Sequence, residues 1–189
     1  FDIKRIKEQG FVDFFDNLES STLGDTFWNV ALPQKFNTPV SSSPFYRLYL
    51  AAQCSLKDNG FLSKAIGVQD MVIHRGDVHH IYPRNYLKSM GYKQSKYNQI
   101  ANYALTQQEI NIKISDTPPE EYFASVIEQC NTKSPVFGGI DNHDELKENF
   151  RMNCIPECFV NGEIPSYEDF IEERRKLMAD KIRKYYEAI

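Results

Sequence analysis

The sequence predicts an α+β fold that is mainly α-helical, with two short strands near its centre. Three observations support this prediction. Apolar residues toward both ends of the chain recur at spacings of three and four, which is typical of helices. Residues 77–82 and 102–106 are rich in side chains that favour strands. A long polar stretch separates these two runs, so we expect a loop between the strands.

The chain of 189 residues is long enough to build a hydrophobic core. We predict one compact domain in three parts: a helical flank over residues 1–72, a central segment over 73–116 and a second helical flank over 117–189. The first residue is Phe1 rather than Met. We therefore expect a piece of a longer protein, although processing or trimming would leave the same start.

The first flank is predicted to contain two main helical regions. Residues 2–18 place six apolar side chains at roughly helical spacing, interrupted by Gly10, and we predict that they contact the core. Residues 45–56 predict a buried helix, which ends at the turn-forming stretch 58–60. One or two short helical turns are expected over 61–72.

The second flank is predicted to contain three helices. Pro118 and Pro119 begin a helix that runs to residue 129, and residues 141–151 form another. The longest helix begins near residue 167 and carries an apolar stripe. Its basic residues are predicted to form a solvated polar face. They are Arg174, Arg175, Lys176, Lys181, Arg183 and Lys184.

The central segment contains three of the four histidines, two of them adjacent at His79 and His80. The first strand runs between a glycine entry and an exit at Pro83. Neighbouring side chains of a strand point to opposite faces, so these two histidines should diverge unless the strand ends or bulges there. The alternative to a functional role is that both are structural histidines in a turn.

A helix is predicted to follow the second strand, over residues 107–114. Thr106 is the predicted N-cap and Glu109 occupies the third helical position, as in a capping box. The resulting order is strand, long loop, strand, helix. Polar groups lie at the end of the first strand and inside the helix.

This segment resembles the ββα-metal (HNH, or His-Me finger) nuclease motif. Its sequence is most similar to that of the C-terminal nuclease module of GmrSD-like modification-dependent restriction proteins. That motif has a metal ligand, a base histidine and hydrophobic-x-Pro, matched here by His79-His80-Ile81-Tyr82-Pro83. Asparagines follow on the second strand and nine positions later on the helix, at Asn102 and Asn111. Many relatives have Asp in place of His79 or His in place of Asn111, which leaves the preferred ion open.

The resemblance implies specific roles for these residues. His80 would be the catalytic base, because an imidazole with a pKa of about 6.5 can accept a proton near neutral pH. His79 and Asn111 would hold Mg²⁺ or Mn²⁺, Asn111 through its side-chain oxygen. Asn102 would bond across the loop and hold the His80 ring, with Asn98 as the alternative for this role.

Asp77 could support the same site. Either its carboxylate or a backbone carbonyl could orient one imidazole, as carboxylates do for catalytic and metal-bound histidines. His74 is interpreted as a surface residue. The resemblance extends over most of the chain, but its specific motif covers only about 40 residues.

The distribution of charge favours nucleic acid as a partner, although the net charge of −4 alone does not. Residues 70–115 carry +3, which leaves −7 for the remainder. Tyrosines alternate with the basic residues, a pattern suited to a phosphate backbone. An ordinary solvated loop is the alternative. The candidate DNA contacts are Arg84, Lys88, Lys93 and Lys96.

The four cysteines give a weaker indication. Cys130, His143, Cys154 and Cys158 could be written as a structural zinc set, but the ligands do not recur as two tight pairs. Buried free thiols in a reducing compartment are the preferred interpretation. No apolar run approaches a membrane span, so the expected location is the cytoplasm, without a membrane partner.

The predicted function is a divalent-metal-dependent HNH DNA endonuclease in a restriction or anti-phage defence protein. The resemblance implies a product with a 5′-phosphate and a 3′-hydroxyl. It further implies DNA, possibly modified, as substrate and a missing N-terminal nucleotide-using region as partner. The alternative is a catalytically inactive nucleic-acid-binding or protein-interaction domain on the same fold. Retention of His80 and Asn111 favours the enzyme.

Overall fold

The computed structural model describes residues 2–74 and 76–189. Helices dominate, and the described residues contain one small antiparallel sheet of two strands. The helices before the sheet are α1 (Asp2–Gln9), α2 (Phe11–Thr22), a π-helical turn (Phe27–Ala31), α3 (Leu32–Lys35), α4 (Pro44–Ser55) and α5 (Val68–His74). The central part consists of β1 (Asp77–His80), α6 (Arg84–Ser89), α7 (Gln94–Tyr97), a 3-10 turn (Ile100–Asn102), β2 (Tyr103–Thr106) and α8 (Gln108–Ile114). The last helices are α9 (Pro119–Thr132), α10 (His143–Met152), a 3-10 turn (Glu157–Asn161) and α11 (Tyr167–Glu187).

The sheet has the predicted order of strand, long loop, strand and helix. Asp77 pairs with Thr106 at one end of the sheet, and His80 pairs with Tyr103 at the other. β1 ends at His80, two residues before the predicted boundary, and Asn102 closes the 3-10 turn immediately before β2. All four β2 residues are buried, whereas β1 is only partly covered. The sheet is therefore enclosed by helices on the β2 side and more accessible along β1.

One hydrophobic core joins the three parts of the chain. It includes Phe36 and Phe61 from the first part, Tyr103 from the sheet and Phe123 and Phe170 from the last helices. Helix α11 packs against α3 and α4, and it also contacts the 3-10 turn that leads into β2. The short sheet is thus held by helices from both flanks.

The prediction that all basic residues of α11 are solvated is wrong for Arg174. This side chain is fully buried. Its guanidinium donates to the carbonyl oxygens of Ala101 at 2.7 Å, Tyr103 at 2.8 Å and Asn153 at 3.1 Å. These carbonyls lie in the turn before β2, at the start of β2 and after α10. Arg174 therefore fastens the second strand to the last helix.

Lys181 is the second exception on the same helix. Its side chain is buried and its ammonium group forms an ion pair with the buried carboxylate of Asp58. Asp58 lies in the turn after α4, which was predicted only as a helix stop. Each charge compensates for the burial of the other, so removal of either partner alone would leave an unpaired buried charge.

The break between the first two helices at Gly10 is as predicted, but the predicted core contacts of residues 2–18 are mostly wrong. Gly10 has a φ of +86°, a conformation that glycine adopts readily. Among the apolar residues of this segment only Phe14 is buried. The exposed fraction reaches 74% for Ile3 and 65% for Phe11. Helical spacing predicted the helices correctly, but it does not specify which surface a stripe contacts.

The capping box before α8 is also wrong. The helix begins at Gln108, and its N-cap is Gln107, whose side chain makes no capping hydrogen bond. The Thr106 hydroxyl instead donates to the backbone carbonyl of Phe61 at 2.7 Å. Thr106 is fully buried, so its hydroxyl needs a hydrogen-bond partner within the protein, and the Phe61 carbonyl provides it.

Candidate active site

His79 and Asn111 meet between β1 and α8. Their Nδ1 and Oδ1 atoms lie 2.9 Å apart. The amide nitrogen of Asn111 donates to the Oδ2 atom of Asp77 at 3.1 Å. Asp77 and His79 are two positions apart on β1 and therefore share a face, which is the face turned toward α8. The three side chains form a continuous polar row between β1 and α8, in which His79 is buried.

The His79 ring is almost completely enclosed, with 2% of the residue exposed. It stacks on the Phe61 ring, with 5.6 Å between ring centroids, and its edge-to-face neighbour is Tyr122. Burial lowers the pKa of His79 to about 4, so the ring is neutral at pH 7. Its Nε2 atom is buried and has no hydrogen-bond partner within the described residues. An unpaired buried polar atom costs about 1–3 kcal/mol.

His80 points to the other face of β1, as the alternation of a strand requires. Its Nε2 atom lies 3.1 Å from the Oδ1 atom of Asn98, and its ring packs edge-on against Tyr103. An amide oxygen only accepts hydrogen bonds, so Nε2 carries the hydrogen and Nδ1 retains the lone pair of the neutral ring. Burial, with an added effect from the Arg84 charge, lowers the pKa of His80 to about 4. The unprotonated Nδ1 can therefore accept a proton at neutral pH.

Asn98, rather than Asn102, contacts the His80 ring. The Asn102 amide is fully buried and bonds to the loop backbone. Its oxygen accepts from the Tyr82 amide at 2.9 Å, and its nitrogen donates to the carbonyls of Tyr82 at 3.0 Å and Tyr97 at 3.2 Å. The predicted bond across the loop is therefore present, but it binds the loop backbone near His80 and not the His80 ring. The ring is bound by Asn98, the predicted alternative.

The four candidate DNA contacts lie in the loop between the strands. Arg84 and Lys88 belong to α6, Lys96 belongs to α7 and Lys93 precedes it. All four side chains are exposed, and none forms an ion pair with another described residue. They are therefore available to an external anion. His74, at the end of α5, is exposed as expected.

The polar row fits a hard divalent ion in its chemistry. In the structure Nδ1 of His79 carries the hydrogen, because the Asn111 oxygen only accepts. Nδ1 can present a lone pair to an ion only if that hydrogen moves to Nε2, which the neutral imidazole allows. The 2.9 Å between the two atoms is the ordinary length of an N–H···O hydrogen bond, which an ion would have to replace. Asp77 adds a carboxylate one hydrogen bond away. No cluster of three His, Cys, Asp or Glu side chains occurs in residues 2–74 and 76–189, so an ion here would depend on the asparagine oxygen.

The residues of the alternative zinc set have other partners. Cys130 Sγ donates to the Val126 carbonyl, and His143 Nε2 lies 2.8 Å from the Asn131 oxygen. Cys154 Sγ contacts the Leu177 carbonyl. All four cysteines are free thiols, two of them buried and two partly buried.

Comparison of the chain with models of protein families, with curated proteins and with solved structures finds no match to any of them. Within the described ranges, no helix has both the length and the apolar character needed to cross a membrane.

Two residues that hold the site together were not predicted from the sequence. Arg174 fixes β2 through its carbonyl contacts, and its spacing of four from both Phe170 and Met178 could have placed it on the buried stripe. Phe61 pairs with β2 through its backbone, where its amide donates to the Leu105 carbonyl at 2.7 Å, and it covers His79 with its ring. No sequence signal separates Phe61 from the other core aromatic residues.

Proposed function

We propose that this chain is a divalent-metal-dependent DNA endonuclease domain of the HNH type, with β1, β2 and α8 as its ββα-metal element. The observation that carries the proposal is the meeting of His79 and Asn111 beside a neutral His80 on the same strand. Residues 32 positions apart supply a possible ion site, and the adjacent strand position supplies a base.

His80 is proposed to take the proton from the attacking water. Asn98 fixes its Nε2 hydrogen, which leaves Nδ1 as the basic nitrogen. The lowered pKa keeps the ring unprotonated at neutral pH. It also makes the ring a weaker base than an exposed histidine, so nucleophile formation depends on a precise position for the water.

His79 and Asn111 would hold Mg²⁺ or Mn²⁺, with Asp77 orienting the Asn111 amide. When bound, such an ion supplies positive charge that stabilises the developing charge on the phosphate and on the leaving 3′-oxygen. The packing of Phe61 and Tyr122 around His79 keeps its ring in one orientation. A 5′-phosphate and a 3′-hydroxyl are the proposed product ends.

The exposed cations of α6 and α7 are proposed to receive the DNA backbone. Arg84 is close enough to His80 to lower its pKa, so a phosphate held by Arg84 would lie near the base. A restriction or anti-phage protein in the cytoplasm is the proposed setting. Modified DNA and a nucleotide-using region elsewhere in a longer protein are the proposed substrate and partner.

Plasmid cleavage tests this proposal directly. Supercoiled plasmid is incubated with the chain and Mg²⁺ or Mn²⁺, with and without a chelator, and the His80→Ala variant is compared. We expect nicking that requires the ion and His80. DNA binding without any cleavage under these conditions would instead establish the inactive binding domain.

A further inference from the structure

A second concave site lies between α11, α3 and the loop segment that carries Asn98. The cavity has a volume of about 580 Å³, which is in the range of small-ligand pockets. Neither His79 nor His80 belongs to its lining. Lys96 and Gln99 line it, and Asn98, the partner of His80, lies between them in the sequence. One short segment thus borders both the cavity and the candidate active site.

Arg175 enters this cavity without a carboxylate partner. Its Nη2 atom donates to the side-chain oxygens of Asn37 and Gln99. Its Nε atom is buried and has no hydrogen-bond partner among the described residues. Both amide partners are neutral, so no ion pair within residues 2–74 and 76–189 balances the guanidinium charge. A partly desolvated arginine in this position favours an anionic ligand.

The other charges around the cavity leave this preference intact. Lys96 is exposed at the rim and adds a second unpaired cation. Of the two lining carboxylates, Glu172 pairs with Lys176 at 2.8 Å, whereas Glu168 accepts from the neutral Tyr92 hydroxyl at 2.7 Å and keeps its charge. Two cations without an ion pair, Arg175 and Lys96, against one such carboxylate favour a phosphate group.

Two tyrosine rings complete the lining. The rings of Tyr92 and Tyr167 are 5.3 Å apart between centroids and meet edge to face. Their hydroxyls are occupied by Glu168 and by the Lys96 carbonyl, which holds both rings in place. Nucleobases stack on such rings with little dependence on sequence. The amide of Asn29 at the wall offers a donor and an acceptor to a base edge.

We propose that this cavity holds one unpaired nucleotide of a nucleic-acid strand, with its phosphate at Arg175 and Lys96 and its base against Tyr92. A base stacked within a duplex cannot enter such a pocket. The proposal rests on the proposed function and specifies its substrate: a strand that is single-stranded, or locally opened, next to the cleavage position at His80.

The test measures the binding of fluorescent oligonucleotides in the presence of a chelator, so that cleavage plays no part. Lys96→Ala removes an exposed cation from the rim. Lys184→Ala is the matched control, since it removes an exposed cation from α11 away from this cavity. Tyr92→Leu and Tyr92→Phe both lose the bond to Glu168, but only the first loses the aromatic ring. Thermal unfolding establishes that each variant is folded.

We expect the chain to bind a single strand more tightly than a duplex of the same length. Lys96→Ala and Tyr92→Leu should each weaken single-strand binding by about fivefold or more, whereas Tyr92→Phe and Lys184→Ala should stay within about twofold. Equal binding of duplex, or equal losses in Lys96→Ala and Lys184→Ala, would overturn the proposal. So would a free nucleoside monophosphate that binds as tightly as the strand, because the cavity would then be a mononucleotide site.

The two proposals fail in different ways. Pocket-dependent binding without plasmid cleavage would overturn the endonuclease and leave a single-strand-binding domain. Cleavage that requires His80 but is unchanged by Lys96→Ala and Tyr92→Leu would overturn the pocket and the proposed DNA contact of Lys96, and would leave the endonuclease.

Discussion

The Nδ1 atom of His79 lies 2.9 Å from the Oδ1 atom of Asn111, although 32 sequence positions separate the two residues. This contact joins β1 to α8. The intervening loop carries the exposed cations and Asn98 to the other side of the same strand. His79 and His80 thus lie on opposite faces of β1, and in the proposed enzyme the ion and the base have to act on the same phosphate.

Replacement of His80 by Ala should reduce cleavage by about 10²–10⁴-fold, because the base acts in the transition state. Binding of DNA should change little. The rate of plasmid nicking and the Kd are measured separately. Asn98→Ala should give a smaller loss, since the base remains but its tautomer is no longer fixed. An equal loss of DNA binding and cleavage in His80→Ala would contradict the role of a base.

Replacement of Asn111 by Ala should weaken activity in a way that higher Mn²⁺ concentrations partly restore. One oxygen ligand is lost while His79 remains, so the affinity for the ion falls before the chemistry does. The activity is titrated with Mn²⁺ for both proteins. Asn85→Ala is a suitable control because this exposed asparagine bonds to Asp116 outside the polar row. Activity that a chelator leaves unchanged would rule out the ion.

Acid should destabilise the fold through His79. Its pKa is about 4 in the folded chain and near 6.5 when unfolded, so between these pH values the unfolded chain binds more protons. The free energy of unfolding should therefore decrease as the pH falls from 6.5 toward 4, by about 3 kcal/mol from this residue. Urea unfolding of His79→Asn should have a shallower pH dependence.

Replacement of Arg174 by Met should destabilise the protein by about 3 kcal/mol or more, because three buried carbonyl oxygens lose their donor. Lys176→Met on the same helix removes an exposed cation with a surface ion pair and should cost less than about 1 kcal/mol. Chemical denaturation gives both values. Equal effects of the two substitutions would mean that the carbonyl contacts contribute little.

DNA binding by this chain should be weak, sensitive to salt and nearly independent of sequence. The attraction comes from four exposed cations against an acidic remainder of −7, so affinity depends on counterion release. Removing the charges of Arg84, Lys88, Lys93 and Lys96 together should reduce the slope of log K against log salt by about three to four. Lys184→Gln should not reduce it by more than about one. Tight, salt-insensitive binding at one sequence would contradict this prediction.

The strand–loop–strand–helix order could be predicted because local signals specify it. Val78 favours extended chain, Pro83 limits how far the strand can continue beyond His80, and apolar spacing indicates the long last helix. His79 and Asn111, which the resemblance assigned to the ion, are in contact, and their role as ligands stays a prediction. Most element boundaries shifted by one or two residues, as hydrogen-bonding criteria and propensities commonly differ there, but α9 runs three residues and α2 four residues past the predicted ends.

Long-range pairing was the part that could not be predicted. Arg174 and Lys181 looked like solvated cations, because their partners, Ala101, Tyr103, Asn153 and Asp58, lie far away in sequence. Thr106 had two possible hydrogen-bond partners, and only the folded position of Phe61 decides between them. The choice of Asn98 over Asn102 at His80 likewise depends on the course of the loop.

The hydrogen bonds from Arg174 to Ala101 and Tyr103 also affect the stage of synthesis at which the proposed nuclease could become active. The contacts from Arg174 to Ala101 and Tyr103 span 73 and 71 positions, so they close a large loop late in folding. Helix α11 leaves the ribosome after every residue of the candidate site. We expect a nascent chain to carry His79, His80 and Asn111 without their final arrangement. In a protein that cuts DNA, such a delay would withhold cleavage until the fold that positions it is complete.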